Sequence, residues 1–483
     1  MTIDEPAGAD EAPGPKGAGP IAAGDAPGPK GAVGGDAPGP LGVSPSAVGG
    51  AAARGSPRGL LPMLDAASGR ATVGGGPAAI DRRQDRLVMA AGIALAGGFL
   101  AAAVLAALLP AEWRRGIWLP IHLGVAGAAS VAIAAVMPFF AATLALARPV
   151  DPTIRAMGIV LPLLGIVGVA AGLTVGPLAL AQAGGIVYLA GMGAVSIATF
   201  VPLAGSSAPR RGVMAAASGA ALFDVTLGAL LGTLYASNVP WVLERWALLR
   251  PAHAWINVLG FVGVIVTGTL VHLWPTVLGA RIRTGPSVAF LGVGWVFGPP
   301  LVALGLAAGS NAAARAGAAV TILGAAGLAI FAVRQWTVRG RWTTDPAWHL
   351  AAIGHMGLGI AWGVGGTLVA AGLVLAHGAA PDAWSAAAVL PALGLGWIAQ
   401  TIVGAGSHLV PTAGPGGPVR HLAQRQTLGR WSAGRLLALE AGVALLTVGL
   451  PLGLPVATVI GAIAAGGSVV ASVGLLVTAV RRA

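Results

Sequence analysis

The chain has 483 residues, 56% of them hydrophobic and 9% charged, with a net charge of +12 and a mean hydropathy of +0.83. A soluble domain carries about 25% charged residues, so an ordinary globular protein is excluded. The absence of cysteine excludes disulfides, iron–sulfur clusters and thiolate metal sites, leaving His, Met or carboxylate to hold any metal.

Residues 1–80 are rich in Gly, Pro and Ala and contain no aromatic residue. APGPKGA occurs at 12–18 and 26–32, and APGPLGV at 37–43. Such a segment cannot bury enough apolar surface to fold, so it reads as a disordered cytoplasmic tail. It opens acidic, whereas a secretory signal opens basic and then runs apolar.

Residues 81–483 form the transmembrane domain. Twelve apolar runs follow one another, at about 87–109, 117–146, 154–175, 178–204, 212–235, 252–274, 287–308, 312–334, 348–376, 384–411, 432–452 and 455–479. Each is long enough for a helical membrane span, and far too long for a barrel strand. The loops after even-numbered runs carry Arg148 and Arg155, Arg210 and Arg211, Arg281 and Arg283, Arg334, Arg339 and Arg341, then Arg420, Arg425 and Arg430. The other side has only Arg114, Arg115, Arg245, Arg250 and Arg315. Positive charge marks the cytoplasmic side, so the pattern predicts a multi-pass protein of the cell membrane with both termini inside. The +12 charge is a topology signal, and no structured basic patch points to nucleic acid.

A repeat runs through these spans. Pro138, Pro275 and Pro411 lie 137 and 136 residues apart. His272-Leu273-Trp274-Pro275-Thr276 matches His408-Leu409-Val410-Pro411-Thr412, with Gly268 matching Gly404. The first copy, Ala135-Val136-Met137-Pro138, has Ala where the others carry His. The interval predicts three parallel four-helix repeats, roughly 85–205, 212–335 and 346–480. The marked helices are the second, sixth and tenth, all running from outside to inside.

Twelve helices in three four-helix arcs resemble subunit I of the haem-copper oxidases. They are also similar to the NnrS-type haem- and copper-containing membrane proteins. His122, in Trp118-Leu119-Pro120-Ile121-His122, stands at the outer start of the second span, where the oxidases carry a haem-ligating His. His253 and His272 bracket the sixth span, which carries a copper-ligating His in that family. The oxidase His-His pair and His-x-His motif are absent, so the resemblance is one of architecture and does not extend to oxygen reduction.

The histidines sort into two levels. His272, His408 and His355 belong to the cytoplasmic half, and His122 and His253 to the outer half. Ionisable groups inside a membrane are costly and usually functional. The inner level is the first candidate: His272 and His408, equivalent in the repeat, would suit haem b as two axial imidazoles, with a second cofactor-binding level around His122 and His253. Three imidazoles, from His272, His408 and His355, would suit copper. Each Pro of the repeat removes an amide donor and ends or kinks its helix, and the following Thr can satisfy a carbonyl left free. Asp224 and Glu440 lie inside spans and read as proton-relay carboxylates or as hydrogen-bonded structural groups. Most of the 14 Trp fall near span ends, as an interfacial belt predicts. The sequence thus points to a haem- or copper-binding membrane protein, acting in electron transfer with a redox partner protein or in metal or nitric oxide handling. The alternative is a proton-coupled transporter using the intramembrane His, Asp and Glu.

Overall fold

The computed structural model describes residues 82–206, 211–283, 285–340, 349–380 and 386–482. The tail assigned to residues 1–80 lies outside them. Twelve helices are long and apolar enough to cross a membrane. They are α1 (Arg83–Ala106), α2 (Trp118–Leu144), α3 (Pro152–Thr174), α4 (Leu178–Ala204), α5 (Gly212–Ala236) and α6 (Trp246–Val277). The rest are α7 (Pro286–Ala307), α8 (Asn311–Trp336), α9 (Leu350–His377), α10 (Ala387–Ala413), α11 (Ser432–Gly449) and α12 (Pro455–Arg481). No strand occurs among the described residues. The protein is a multi-pass α-helical membrane protein, because in hydrocarbon a helix satisfies its own backbone. Large apolar side chains such as Phe223, Phe297, Leu304 and Ile463 point outward, as a lipid-facing surface requires.

The sixth span starts earlier than its hydropathy suggested. Sequence reading opened it after Pro251, but α6 begins at Trp246 and carries Pro251 inside. A membrane helix tolerates such a proline where neighbours re-satisfy the backbone. A further short helix, Pro418–Leu428, joins α10 to α11.

Three spans form the centre. In α2, α6 and α10, 72, 78 and 67% of the most apolar stretch is buried, while no other span exceeds 50%. These same three contain π-helical stretches, Leu123–Ala129, Ile256–Gly263 and Pro391–Ala399. A proline stands at or just before each: Pro120, Pro251 and Pro391. Wide π turns often mark functional sites. One glycine in each stretch lets a side chain of the preceding span reach the backbone. A Cβ on Gly127 would stand 2.6 Å from Phe99 of α1, one on Gly260 2.7 Å from Asp224 of α5, and one on Gly396 2.6 Å from Trp362 of α9.

Around this centre lie antiparallel pairs, α3 with α4, α7 with α8 and α11 with α12. Each is joined through glycine. Gly165 abuts the Tyr188 backbone, Gly294 abuts Gly324, and Gly442 abuts Ala465. In lipid no hydrophobic force drives helices together, so small residues that permit close approach do that work. α12 packs against α1, and Gly406 of α10 touches both Ile93 of α1 and Leu476 of α12, which closes the circle.

One polar contact ties the first spans. Arg155 of α3 donates from Nε to Asp85 Oδ1 of α1 at 2.7 Å, with both side chains buried. Its other nitrogens donate to the carbonyls of Ala134 (3.3 Å) and Ala135 (3.0 Å). Ala134 is four residues before Pro138, so its carbonyl has no α-helical amide partner, and Arg155 supplies the missing donor. Sequence reading had counted Arg155 as a loop cation. The helix in fact starts at Pro152, with Asp151 accepting from the Thr153 amide at 2.7 Å, and so carries Arg155 inward.

Candidate functional site

His122 and His253 come together at the end where the even-numbered spans begin. His122 closes the opening turn of α2, directly before its π stretch. Its Nδ1 lies 2.8 Å from the Trp118 carbonyl, and its ring stacks on the Trp118 indole with centroids 4.2 Å apart. His253 of α6 reaches across to α5. Its Nδ1 lies 2.9 Å from the Gly228 carbonyl, and its ring fills the space above Gly232. Asn257, one turn further along, donates to the His253 carbonyl at 2.7 Å and lies 3.4 Å from Nδ1. The shorter contact assigns the Nδ1 proton to the Gly228 carbonyl. The two imidazole centroids are 6.3 Å apart, with the rings inclined by 21°. Trp246 stands 6.1 Å from His253, and Tyr235 stacks on Trp246 at 4.0 Å.

This geometry has a chemical meaning. When Nδ1–H donates to a carbonyl, the neutral ring presents its Nε2 lone pair, as a metal-bound His requires. Among the described residues no hydrogen-bond partner reaches Nε2 of either ring. Two imidazoles sharing one ion have centroids about 6 Å apart, from metal–nitrogen bonds of about 2.0 Å and roughly 1.1 Å from nitrogen to ring centre. The observed separation is close to the value for two imidazoles on opposite sides of one ion.

Asp224 lies midway along α5, inward of this pair. It is 0% exposed, and neither carboxyl oxygen has a hydrogen-bond partner among the described residues. It sits against Gly260 of α6, while Asn257 occupies the space over Gly228, one turn along α5. The glycines at 228, 232 and 260 make room for Asn257, His253 and Asp224. Sequence reading passed over Gly228 and Gly232, although their spacing of four residues on α5 was the visible signal.

The other polar groups stand apart. His272, His355 and His408 are all buried. Thr276 Oγ1 donates to the His272 carbonyl at 2.8 Å, and Thr412 Oγ1 to the His408 carbonyl at 2.6 Å, so the two repeated phrases share their local bonding. His355 packs beside Gly404, with both ring nitrogens lacking a partner among the described residues and Arg435 as its charged neighbour. Among the described residues no group of three or more His, Asp or Glu is placed to hold a metal ion. Glu440 of α11 accepts from Trp362 Nε1 at 2.7 Å and from Gln400 Nε2, a cross-linking role between α9, α10 and α11. Trp397 is fully buried beside Trp295.

Compared with models of known families and with curated proteins, the chain matches none.

Proposed function

We propose that this chain is a cell-membrane protein that holds haem or copper between His122 and His253. It would serve electron transfer, with a redox partner protein, or metal or nitric oxide handling. The observation that carries this reading is the pair itself: two imidazoles from separate spans, 6.3 Å apart, each with Nδ1 committed to a backbone carbonyl. The chain's own residues orient both rings, and Trp118, Trp246 and Tyr235 wall the space around them. The bound group would supply a one-electron couple or a site for a small diatomic ligand.

The architecture behind the proposal is three parallel four-helix units with both termini cytoplasmic. It is supported by the repeated prolines, by π stretches in α2, α6 and α10, and by the equivalent glycines Gly260 and Gly396. The arginine distribution supports placing the His122–His253 pair on the outer side. His272 and His408, equivalent in the repeat, would then line the inner half.

The test is a visible spectrum of the purified protein, oxidised and reduced, with metal analysis, for wild type and the His122→Ala/His253→Ala double variant. A Soret band with sharp reduced α-bands, lost in the double variant, supports bis-imidazole haem. Copper lost in the same variant supports a metal centre. A colourless, metal-free protein from haem- and copper-replete cells overturns the reading. It would favour a proton-coupled transporter built on the unpartnered Asp224.

A further inference from the structure

The three π stretches permit a comparison within one chain. Each offers a glycine to a side chain from the preceding span, and the occupants are Phe99, Asp224 and Trp362. Two are aromatic and one is a carboxylic acid, so the slot itself does not require a polar group. Asp224 is 0% exposed, and its two oxygens have no hydrogen-bond partner among the described residues. An isolated carboxylate in such a place costs so much that the group neutralises instead.

The surroundings differ in the two directions along α5. Toward the His122–His253 end come Gly228 with Asn257 over it, then Gly232 with His253 over it. Toward the other end the same face offers Ala221, Ala217 and Met214, all buried, with Ala217 pressed on Gly268 of α6. On this face one direction carries the polar side chains Asn257 and His253 and the other small or apolar ones, with the buried Ser218 hydroxyl on a neighbouring face of α5.

The helices packed on α5 are α2, α4, α6 and α7. They bring few titratable groups: His122 on α2, Tyr188 on α4, and Arg250, His253 and His272 on α6, with none on α7. The Tyr188 hydroxyl is engaged with Ser130 at 2.7 Å. The short helix Pro240–Glu244 adds Glu244 at the end of α5, where Tyr235 also lies. No ion pair reaches Asp224 among the described residues.

We propose that Asp224 is a proton-binding site that carries a proton at neutral pH. It exchanges that proton only with the membrane face bearing His122 and His253, by way of Asn257. The inference stands on the surroundings of Asp224 and needs no cofactor at the histidine pair.

The probe is a hydrophobic carbodiimide, which reacts with protonated carboxylic acids inside membranes. Wild type and Asp224→Asn are reconstituted in sealed vesicles of known orientation, and the pH on each face is set independently. Labelled peptides are read by mass spectrometry, and the carboxylic C=O stretch by infrared difference spectroscopy. Labelling at Asp224 is expected at neutral pH and should fall when the face bearing His122 and His253 is made alkaline. The opposite face should have no effect, and Asp224→Asn should lose both label and C=O band. Asn257→Leu should leave the label but slow its response to pH. Labelling that follows the opposite face, or a carboxylate already ionised at neutral pH, overturns the proposal. Because the readout is independent of any chromophore, a colourless protein with a labelled Asp224 would sink only the cofactor reading. A coloured protein without the label would sink only this one.

Discussion

His122 and His253 face each other from spans α2 and α6, 6.3 Å between ring centroids, although 131 residues separate them in sequence. Neither ring can hold a two-imidazole cofactor alone. His122→Ala and His253→Ala should therefore each abolish the six-coordinate spectrum or the metal content, and the double variant should be no worse than either. Asn257 touches His253 without facing the space between the rings. Removing such an outer contact costs about 10–100-fold in metal affinity, so Asn257→Ala should weaken binding and leave the spectral type unchanged. Titration with haem or copper measures both effects.

Breaking the Asp85–Arg155 pair should damage the fold more than deleting it. Both side chains are buried, and the contact is 2.7 Å. Asp85→Ala leaves a buried guanidinium without its counter-charge, a loss of about 3–5 kcal/mol. Asp85→Leu/Arg155→Met removes both charges and should recover part of that, the remainder being lost with the donors to the Ala134 and Ala135 carbonyls. Thermal unfolding followed by Trp fluorescence distinguishes the two.

The glycine contacts predict a sharp contrast on one helix. A Cβ on Gly294 would stand 2.2 Å from the Gly324 backbone, whereas one on Gly292 meets open space. Gly294→Ala forces α7 and α8 apart, at a cost of about 1–3 kcal/mol by the measure of overpacked cores. Gly292→Ala should stay within about 0.5 kcal/mol of wild type. The same unfolding assay measures both.

His421, in the short helix between α10 and α11, gives a pH dependence outside the membrane-spanning segments. Burial pushes its imidazole below the ordinary 6.5, a bond with the Gly414 backbone opposes this, and Arg425 and Arg86 add to the lowering. The unfolded chain therefore binds the proton more tightly. Stability should rise as pH climbs through the window just below 6.5 and fall as it drops through that window. His421→Gln should flatten the profile of melting temperature against pH over that window.

Most of the fold was legible in the sequence because a membrane span is a long, uniform signal. The twelve runs fall within a few residues of the helices, except where Pro251 was taken for a start and α6 ran through it. The two His-Leu-x-Pro-Thr phrases share their bonding, Thr276 and Thr412 each donating to the His carbonyl one turn back, whereas the carbonyls that Pro275 and Pro411 deprive of an amide are those of Val271 and Ser407. The short helix Pro418–Leu428, which carries His421, was missed, although Pro at a first helical position was the cue. The π stretches left no pattern beyond a nearby proline and a glycine. The site was legible only as candidates. Sequence equivalence paired His272 with His408. Proximity pairs His122 with His253, which are not equivalent in the repeat and meet where the opening turns of α2 and α6 come together. The orphan state of Asp224 was equally invisible, since it depends on what α6 fails to offer across the contact.

The closure of α12 onto α1 has a consequence in time. The ribosome delivers α1 before α12, yet part of the neighbourhood of α1, Val473 and Leu476 beside Gly97, emerges only after ten further spans have been made. Until then that flank of α1 must be covered by lipid or by the insertion machinery, and the Asp85–Arg155 contact with α3 can hold only its other side. Assembly around α1 is therefore a process that waits for α12, and a nascent chain stalled before α12 presents an open seam to quality control.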